Sequence, residues 1–193
     1  MPKFTKIPET AFQEIQLNAG VLLSTFEPSS GAMEAENLLG ATSGGVNFTA
    51  VPSFTNFGED IDNCPKNMKE LKKLDTWDIN MSGTFVTVTA KQVKSLIGAA
   101  DVSVEKITPR NDLTDADFAD VWWVGDYSDK NGETNGGFIA IHMMNALSTG
   151  GFAIQSTDKA KGTFAFTYTA HYSMAAQTTV PFEIYVKAGK PEA

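Results

Sequence analysis

Alternation of apolar and polar side chains is the dominant pattern of this chain. In residues 163–172 (TFAFTYTAHY), every second side chain from Phe164 to Tyr172 is apolar or aromatic. A period of two is typical of a β-strand with one buried face, and aromatic and β-branched residues suit that pleated surface. The chain is therefore predicted to be mainly β, organised around this strand. The same pattern predicts further strands at 15–23, 138–144, 152–155 and 181–187.

Two of these strands carry explicit predictions about their faces. In the strand at 15–23, the odd-numbered residues from Ile15 to Leu23 are expected to share one apolar face. In the strand at 181–187, we expect Phe182, Ile184 and Val186 to point inward and Glu183, Tyr185 and Lys187 to point outward.

A long β-hairpin is predicted at about 46–88. Residues 46–57 and 74–88 both alternate, and Pro52 within the first run indicates an edge strand or a bulge. A switch of the apolar side after Gly83 predicts a second bulge or a sharp twist. The apolar face of this hairpin packs either on the subunit's own core or on another chain, and both alternatives stay open. Its predicted members are Phe48, Phe54, Trp77, Ile79 and Met81.

The tip of this hairpin, residues 58–73, is charged and shows no apolar periodicity. Ordering such a segment costs about 1–2 kcal/mol of backbone entropy per residue, which the tip cannot offset by itself. It is therefore predicted to be mobile in the free subunit and ordered by contact with another copy. The residues expected at that contact are Glu59, Asp60, Asp62, Cys64, Lys66 and Lys69.

One α-helix is predicted after the hairpin. Thr89 and Gln92 have the spacing of a capping box, residues 93–97 carry an apolar stripe, and Gly98 can end the helix. A helix this short must pack on the sheet to be stable.

Three other segments complete the predicted architecture. Residues 1–12 are polar and are expected to form an extended arm, and 102–107 is expected to be a strand. Trp122 and Trp123 are adjacent in a strand-like run, so one ring should lie on each face of the sheet.

Composition restricts the class of protein. A chain of 193 residues is expected to form a single domain, 1–193, with a substantial core. The net charge of −8 argues against binding of nucleic acid, since affinity for phosphates comes from Lys and Arg. The lone cysteine cannot form an intramolecular disulfide. No signal peptide and no membrane-length apolar run is visible, so we expect a protein made in the cytoplasm.

The sequence contains no pattern that marks an active site. His142 and His171 lie inside alternating strands, where a structural role is the simpler interpretation. Zinc, nucleotide-binding and nucleophile motifs are all missing. We therefore expect no enzyme, no cofactor and no metal, although weak calcium binding by the acidic loops at 126–133 and 59–63 stays open.

The chain resembles the major tail tube proteins of long non-contractile-tailed, siphovirus-type bacteriophages. The segments that carry the resemblance cover most of the chain: 13–23 (QEIQLNAGVLL), 58–77 (GEDIDNCPKNMKELKKLDTW), 89–101 (TAKQVKSLIGAAD), 107–113 (ITPRNDL), 121–129 (VWWVGDYSD) and 146–173 (ALSTGGFAIQSTDKAKGTFAFTYTAHYS).

This resemblance implies a β-sandwich or barrel-like tail tube fold with one flanking helix, a long hairpin and mobile arms. It further implies hexameric rings that stack into a tube with a β-barrel inner wall, through which DNA passes without specific binding. The implied partners are other copies of the chain and the tape measure, tail terminator and distal tail proteins. The implied location is the tail of a virion assembled in the host cytoplasm, with no membrane. The family has no active site.

Two other functions stay open from the sequence. One is the tube of a phage-derived bacteriocin or secretion-like device. The other is a monomeric β-sandwich carbohydrate-binding module that uses Trp77, Trp122 or Trp123 as a stacking platform.

Overall fold

Antiparallel β-strands dominate the computed structural model, which describes residues 8, 11, 14–127 and 136–189. One α-helix, α1 (Ala90–Ile97), follows the longest pair of strands. Short 3-10 turns occupy Ala35–Asn37, Lys69–Leu71, Asp115–Asp117 and Met174–Ala176. The strands are β1 (Gln16–Leu23), β2 (Leu38–Gly40), β3 (Thr42–Asn56), β4 (Lys72–Phe85), β5 (Ala100–Ser103), β6 (Lys106–Pro109), β7 (Ala119–Tyr127), β8 (Gly137–Ser148), β9 (Ala153–Gln155), β10 (Thr163–Ala170) and β11 (Phe182–Lys187).

Strand β8 connects the two halves of the main sheet. The strand order is β2-β1-β7-β8-β10-β4-β3, with β9 on β10 and β11 on β8, and all the pairs are antiparallel. On one edge of β8, residues 146–148 pair with β10 and residues 138–143 pair with β11. The β11 residue Phe182 in turn packs on Phe48 of β3 and Trp77 of β4. The two halves therefore face each other, as predicted for a mainly β, sandwich-like fold.

The main core lies between these two halves. Phe85 and Phe166 pack with ring centroids 4.5 Å apart, and Tyr168 continues the row next to Phe166. The hydroxyl groups of Tyr168 and Ser95 of α1 are 2.9 Å apart, so a hydrogen bond joins the helix to the sheet. Other core members come from both halves: Leu22, Ile79, Met81, Leu96, Val121, Trp123, Ile141 and Met143.

The opposite face of the β1–β7–β8 sheet carries a second, smaller core. Trp122 packs edge-on against Phe26, and Phe26 packs against Phe138. Trp123 lies on the main-core side, where its indole N–H donates to the carbonyl oxygen of Ala19 at 3.0 Å. The prediction that the two adjacent tryptophans lie on opposite faces is confirmed.

The predicted single apolar face of the first strand is wrong. Asn18 and Gly20 adopt positive φ angles, and the register between β1 and β7 shifts at this point. Leu17, before this shift, is exposed, whereas Leu22 and Leu23 are both fully buried, in different clusters, because both faces of β1 are covered at that end. A local kink of the backbone overrides the alternation read from the sequence.

The predicted inward face of the last strand is wrong at two positions. Phe182 packs on the main core, but Ile184 and Val186 are 50% and 57% exposed because the facing half of the sheet does not cover them. Tyr185, expected to point outward, packs instead near Trp122 with ring centroids 5.8 Å apart.

Two further predictions need correction. Residues 102–107 are not one strand: β5 and β6 form a separate two-stranded hairpin that turns at Val104, which has φ 55°. The bulge predicted after Gly83 is confirmed, because the register shifts between the Val46–Gly83 and Thr42–Phe85 pairs and Gly44 and Gly45 adopt positive φ there. The predicted switch of the apolar side is wrong, since Phe85 is fully buried and Val88 is 57% exposed. The arm predicted at 1–12 lies outside the described residues, apart from residues 8 and 11.

The predicted helix is confirmed as α1. The Thr89 hydroxyl accepts the backbone N–H of Gln92 at 3.2 Å, and Gly98 follows the last turn with a positive φ. The return bond of the capping box is missing, because the Gln92 side chain is turned inward and its polar atoms have no hydrogen-bond partner. Each helix in the described residues is too short or too polar to cross a bilayer.

The core predicts a clear difference between two truncations. Phe166→Ala removes a ring that is 2% exposed between two other rings, so the free energy of unfolding should fall by about 3–5 kcal/mol. Ile184→Ala removes a half-exposed side chain and should cost less than about 1 kcal/mol. Urea unfolding of both variants measures the difference, and equal losses would contradict the placement of the core.

Candidate functional site

The β3–β4 hairpin is the longest feature of the molecule. Its strands contain 15 and 14 residues, whereas β10, the strand that supports it, contains eight. At about 3.4 Å per residue, the hairpin extends roughly 50 Å. Half of it therefore has no supporting strand among the described residues.

The base of the hairpin belongs to the core of the subunit. Ile79 and Met81 are 1% and 0% exposed, so at these two positions the hairpin packs on the subunit's own core, which is one of the two alternatives that the sequence left open. Phe48 and Trp77 are partly buried against Phe182, with ring centroids 5.8 and 5.6 Å away. These four side chains join the hairpin to the sheet and leave little or no surface for a second chain.

Support for the hairpin ends at Trp77. Strand β10 stops at Ala170, and the backbone N–H of Trp77 donates to the hydroxyl group of Tyr172 at 3.1 Å. The tyrosine side chain thus satisfies a backbone donor at the level where the neighbouring strand has ended. Beyond this level, the two strands of the hairpin pair only with each other in the described part of the chain.

A bulge in β4 begins the unsupported half. Ser53 pairs with Thr76 but Phe54 pairs with Leu74, so Asp75 has no residue opposite it. The Asp75 carboxylate accepts the hydroxyl group of Thr55 at 2.6 Å, which holds the bulge in place. Bulges increase the local twist of a strand pair and are common at sheet edges.

The unsupported half exposes large apolar side chains. Five of them are between 40 and 59% exposed, on the two strands and on the tip. Such a concentration on a solvent-exposed element is typical of an interaction surface. Phe54 is partly covered by the ammonium group of Lys72, 4.6 Å from the ring centre. The five residues, named here the distal apolar surface, are Phe54, Phe57, Ile61, Met68 and Leu74.

The tip has a defined local structure. Cys64 is half-buried, with its sulfur 3.5 Å from that of Met68, and a Cβ added to Gly58 would lie only 2.9 Å from Leu71. The mobility of this segment in the free subunit stays a prediction. Of the charged residues expected at a contact, Glu59, Asp60, Asp62, Lys66 and Lys69 are all exposed.

A second charged cluster fixes the β5–β6 hairpin near α1. The guanidinium of Arg110 makes two hydrogen bonds to the buried carboxylate of Asp117, at 2.7 and 2.8 Å, and an ion pair with Asp101 at 3.0 Å. Asp117 also accepts the backbone N–H of Thr114 at 2.9 Å. This cluster is not among the features predicted from the sequence, although Thr114 and Asp117 have the spacing of a capping box.

These contacts shift two pKa values. The backbone N–H of Thr114, together with Arg110, holds the pKa of Asp117 below its ordinary value of 3.8, although burial acts in the other direction. The hydrogen bond to Asp117 raises the pKa of Arg110. Both groups are therefore charged at neutral pH, and the cluster is an anchor of fixed charges.

The two histidines lie in structural contacts. His142 stacks on Trp122 with centroids 3.9 Å apart, and its Nε2 atom is 3.0 Å from Asp120. The Nδ1 atom of His171 is 3.2 Å from the carbonyl oxygen of Asn145. Within the described ranges, no group of three or more His, Cys, Asp or Glu side chains could hold a metal ion. Most of the loop at 126–133 lies outside those ranges.

Comparison with solved structures gives a weak likeness. No protein-family model matches the chain, and no curated protein matches it. A solved structure titled "Virion of native gene transfer agent (GTA) particle" contains a chain that is similar to this one with a TM-score of 0.43 and 6% identity. The match covers 88% of this chain and 96% of the other. A likeness at this level does not identify a family or a function.

The charged cluster predicts a pH dependence of stability. The pKa of Asp117 is lowered by folding, so its contribution is complete well above 3.8 and is lost as the pH falls below that value. The wild type should therefore lose more stability between pH 6 and pH 3 than Asp117→Asn, which has no charge to titrate. Urea midpoints of both proteins at several pH values measure this difference, and parallel curves would exclude the role given to Asp117.

Proposed function

We propose that this protein is a structural virion protein that polymerises as stacked hexameric rings to form a phage tail tube, the conduit for DNA during genome ejection. The observation that carries the proposal is the hairpin of roughly 50 Å, whose distal apolar surface and outer edge have no partner among the described residues. The resemblance of the sequence to tail tube proteins supplies the hexamer and the tube.

The energetics of the hairpin favour assembly. Burial of a large apolar side chain contributes about 1.5–3 kcal/mol, and every copy brings several of them on the distal apolar surface. An open strand edge presents unpaired N–H and C=O groups, and closing strands into a barrel removes such edges. A head-to-tail contact repeated around a ring closes on itself, so each subunit uses both of its surfaces.

The charge of the chain suits a conduit. With a net charge of −8, the protein offers few sites to which a phosphate backbone can bind. Weak binding lets a long polymer slide along the wall. DNA is thus proposed as cargo without specific contacts.

The remaining assignments follow from this role. The chain is proposed as one tail tube domain, 1–193, that acts without catalysis and without a cofactor. Its partners are further copies of itself and the tape measure, tail terminator and distal tail proteins. It is assembled in the host cytoplasm, does not insert in a membrane, and is located in the tail of the virion. The alternative function, as the tube of a phage-derived bacteriocin or secretion-like device, would use the same contacts between subunits in a different particle.

A carbohydrate-binding module is disfavoured by the placement of its candidate platforms. Trp122 and Trp123 are 7% and 9% exposed, in two different cores, and Trp77 packs on Phe182. A sugar needs an exposed aromatic face, and these three rings do not provide one.

Phe54 tests the distal apolar surface. Phe54→Asp changes an exposed side chain, so the monomer should stay folded, with a loss of about 0.5 kcal/mol or less. In a tube the aspartate would be buried without a partner at every contact, and assembly should fail. Negative-stain microscopy of the concentrated proteins measures this, with wild-type tubes that have an axial channel as reference.

A matched control is Val104→Asp, which puts the same charge on the exposed turn of the separate β5–β6 hairpin. It should leave tubes intact. Tubes formed equally well by Phe54→Asp would contradict the interface, and a wild type that never forms tubes would contradict the function.

Cys64 reports on the tip. Its thiol is half-buried and is predicted to react with a maleimide in the free subunit and to be protected when the tip lies against another copy. The labelling rate should therefore fall at least several-fold on assembly. The control is the same sample after dilution has dissociated the tubes, and identical rates in both states would show that the tip is not an assembly element.

A further inference from the structure

We propose that Pro52 is a stop for strand pairing between neighbouring copies. In this inference, which rests on the proposed function, a strand from the next copy pairs along the outer edge of β3 over residues 46–51 and cannot continue past Pro52. The unsupported half of the hairpin is then left free for contacts along the tube axis.

The orientation of the backbone at Pro52 follows from one hydrogen bond. Pro52 lies opposite Trp77 in the hairpin, and the N–H of Trp77 points away from β3, toward Tyr172. In an antiparallel ladder, a residue whose N–H points away from the neighbouring strand belongs to a non-hydrogen-bonded pair. The N and C=O of the residue opposite it therefore also point away from the shared edge of the two strands. The ring nitrogen of Pro52 therefore faces the outer edge of β3.

This outer edge is open in the subunit. β3 is the last strand in the sheet order, so none of the described strands pairs with its far side. By alternation, the backbone groups of Val46, Phe48 and Ala50 point to the same side as those of Pro52. The first three can donate to an incoming strand, but proline has no N–H and interrupts the row.

A second feature stops pairing at the same level. The bulge at Asp75 follows one pair after Pro52–Trp77, beyond Ser53–Thr76, and twists the two strands. Proline and bulges are two of the devices by which natural sheets protect an edge. Their coincidence at one level of the hairpin indicates a boundary between two surfaces with different uses.

The occupant of the edge is a second copy of this chain, through its strand β9. The run β3-β4-β10-β9 ends in β3 on one side and in β9 on the other. Because each pairing in this run is antiparallel, β9 is antiparallel to β3. When β9 of one copy pairs with β3 of the next copy, the two runs therefore form one continuous antiparallel sheet. The β9 edge also carries an exposed side chain, Ile154, which is 60% exposed.

The boundary separates two kinds of contact. Before Pro52, backbone hydrogen bonds to the next copy close the ring laterally. After Pro52, the distal apolar surface stays available for the neighbouring ring. Without the stop, a strand could pair along the whole of β3 and take up this surface, and lateral growth would compete with stacking.

Hydrogen exchange measured by mass spectrometry tests the stop in the wild type. On conversion of free subunits into tubes, amides in residues 46–51 should gain protection of tenfold or more. For amides in residues 53–56, the logarithm of the protection gain should be less than half of that for residues 46–51. Equal gains on both sides of Pro52 would overturn the proposal.

Pro52→Thr tests the cause. The substitution restores the N–H and a strand-forming side chain, so protection should extend through residues 53–56 and tubes should lose their uniform diameter. Val51→Thr is the matched control: it places threonine one residue earlier, leaves the outward donors unchanged, and should form wild-type tubes. Thermal unfolding checks that both variants fold. Tubes of Pro52→Thr that equal wild type in diameter and exchange would refute the stop.

A failure of the proposed function has a different outcome. If the wild type forms no tubes, the proposed function is wrong. The role of Pro52 as a stop for strand pairing is then tested by measuring how strongly the soluble proteins self-associate. Sedimentation velocity should show Pro52→Thr associating at least tenfold more strongly than wild type and Val51→Thr, because an edge has been opened. Equal association of all three proteins would overturn the inference on its own.

Discussion

The difference in length between β4 and β10 is the constraint on which the rest of the molecule depends. A β-strand needs partners for the N–H and C=O groups on both of its edges, and β10 provides them for only part of the 14-residue β4. Tyr172 supplies one last partner to the N–H of Trp77, and then the hairpin continues alone. A hairpin without a third strand is marginal in water, and in the proposed function another chain completes its far half.

The interior is arranged to hold the base of this hairpin firmly. Phe182 of β11 lies against both Phe48 and Trp77, and Phe166 lies against Phe85 at the other end of β4. Helix α1 is joined to the same layer through the Ser95–Tyr168 hydrogen bond. A hairpin fixed at its base and free beyond it can present its apolar side chains in a defined direction, which a flexible loop cannot do.

Several features of the fold and of the site could be predicted from sequence. The 46–88 hairpin, helix α1 and the alternation of β10 follow from local periodicity, and all three are confirmed. Predictions failed where a distant contact or a positive φ intervenes. Asn18 and Gly20 shift the register of β1, and the facing half of the sheet stops short of Ile184. The partners of Arg110 come from separate segments, so spacing along the chain did not reveal them.

Local periodicity is enough to predict most of the strands, because the period of two is a property that each segment carries without its neighbours. The acidic charge of the chain likewise follows from its composition. Which apolar side chains are free depends instead on how the strands pack. Ile79 and Phe54 occupy the same kind of alternating position, yet one is buried and the other is half-exposed. Burial depends on how far the opposite layer extends, and that length is set by β10 and β11, strands distant along the chain.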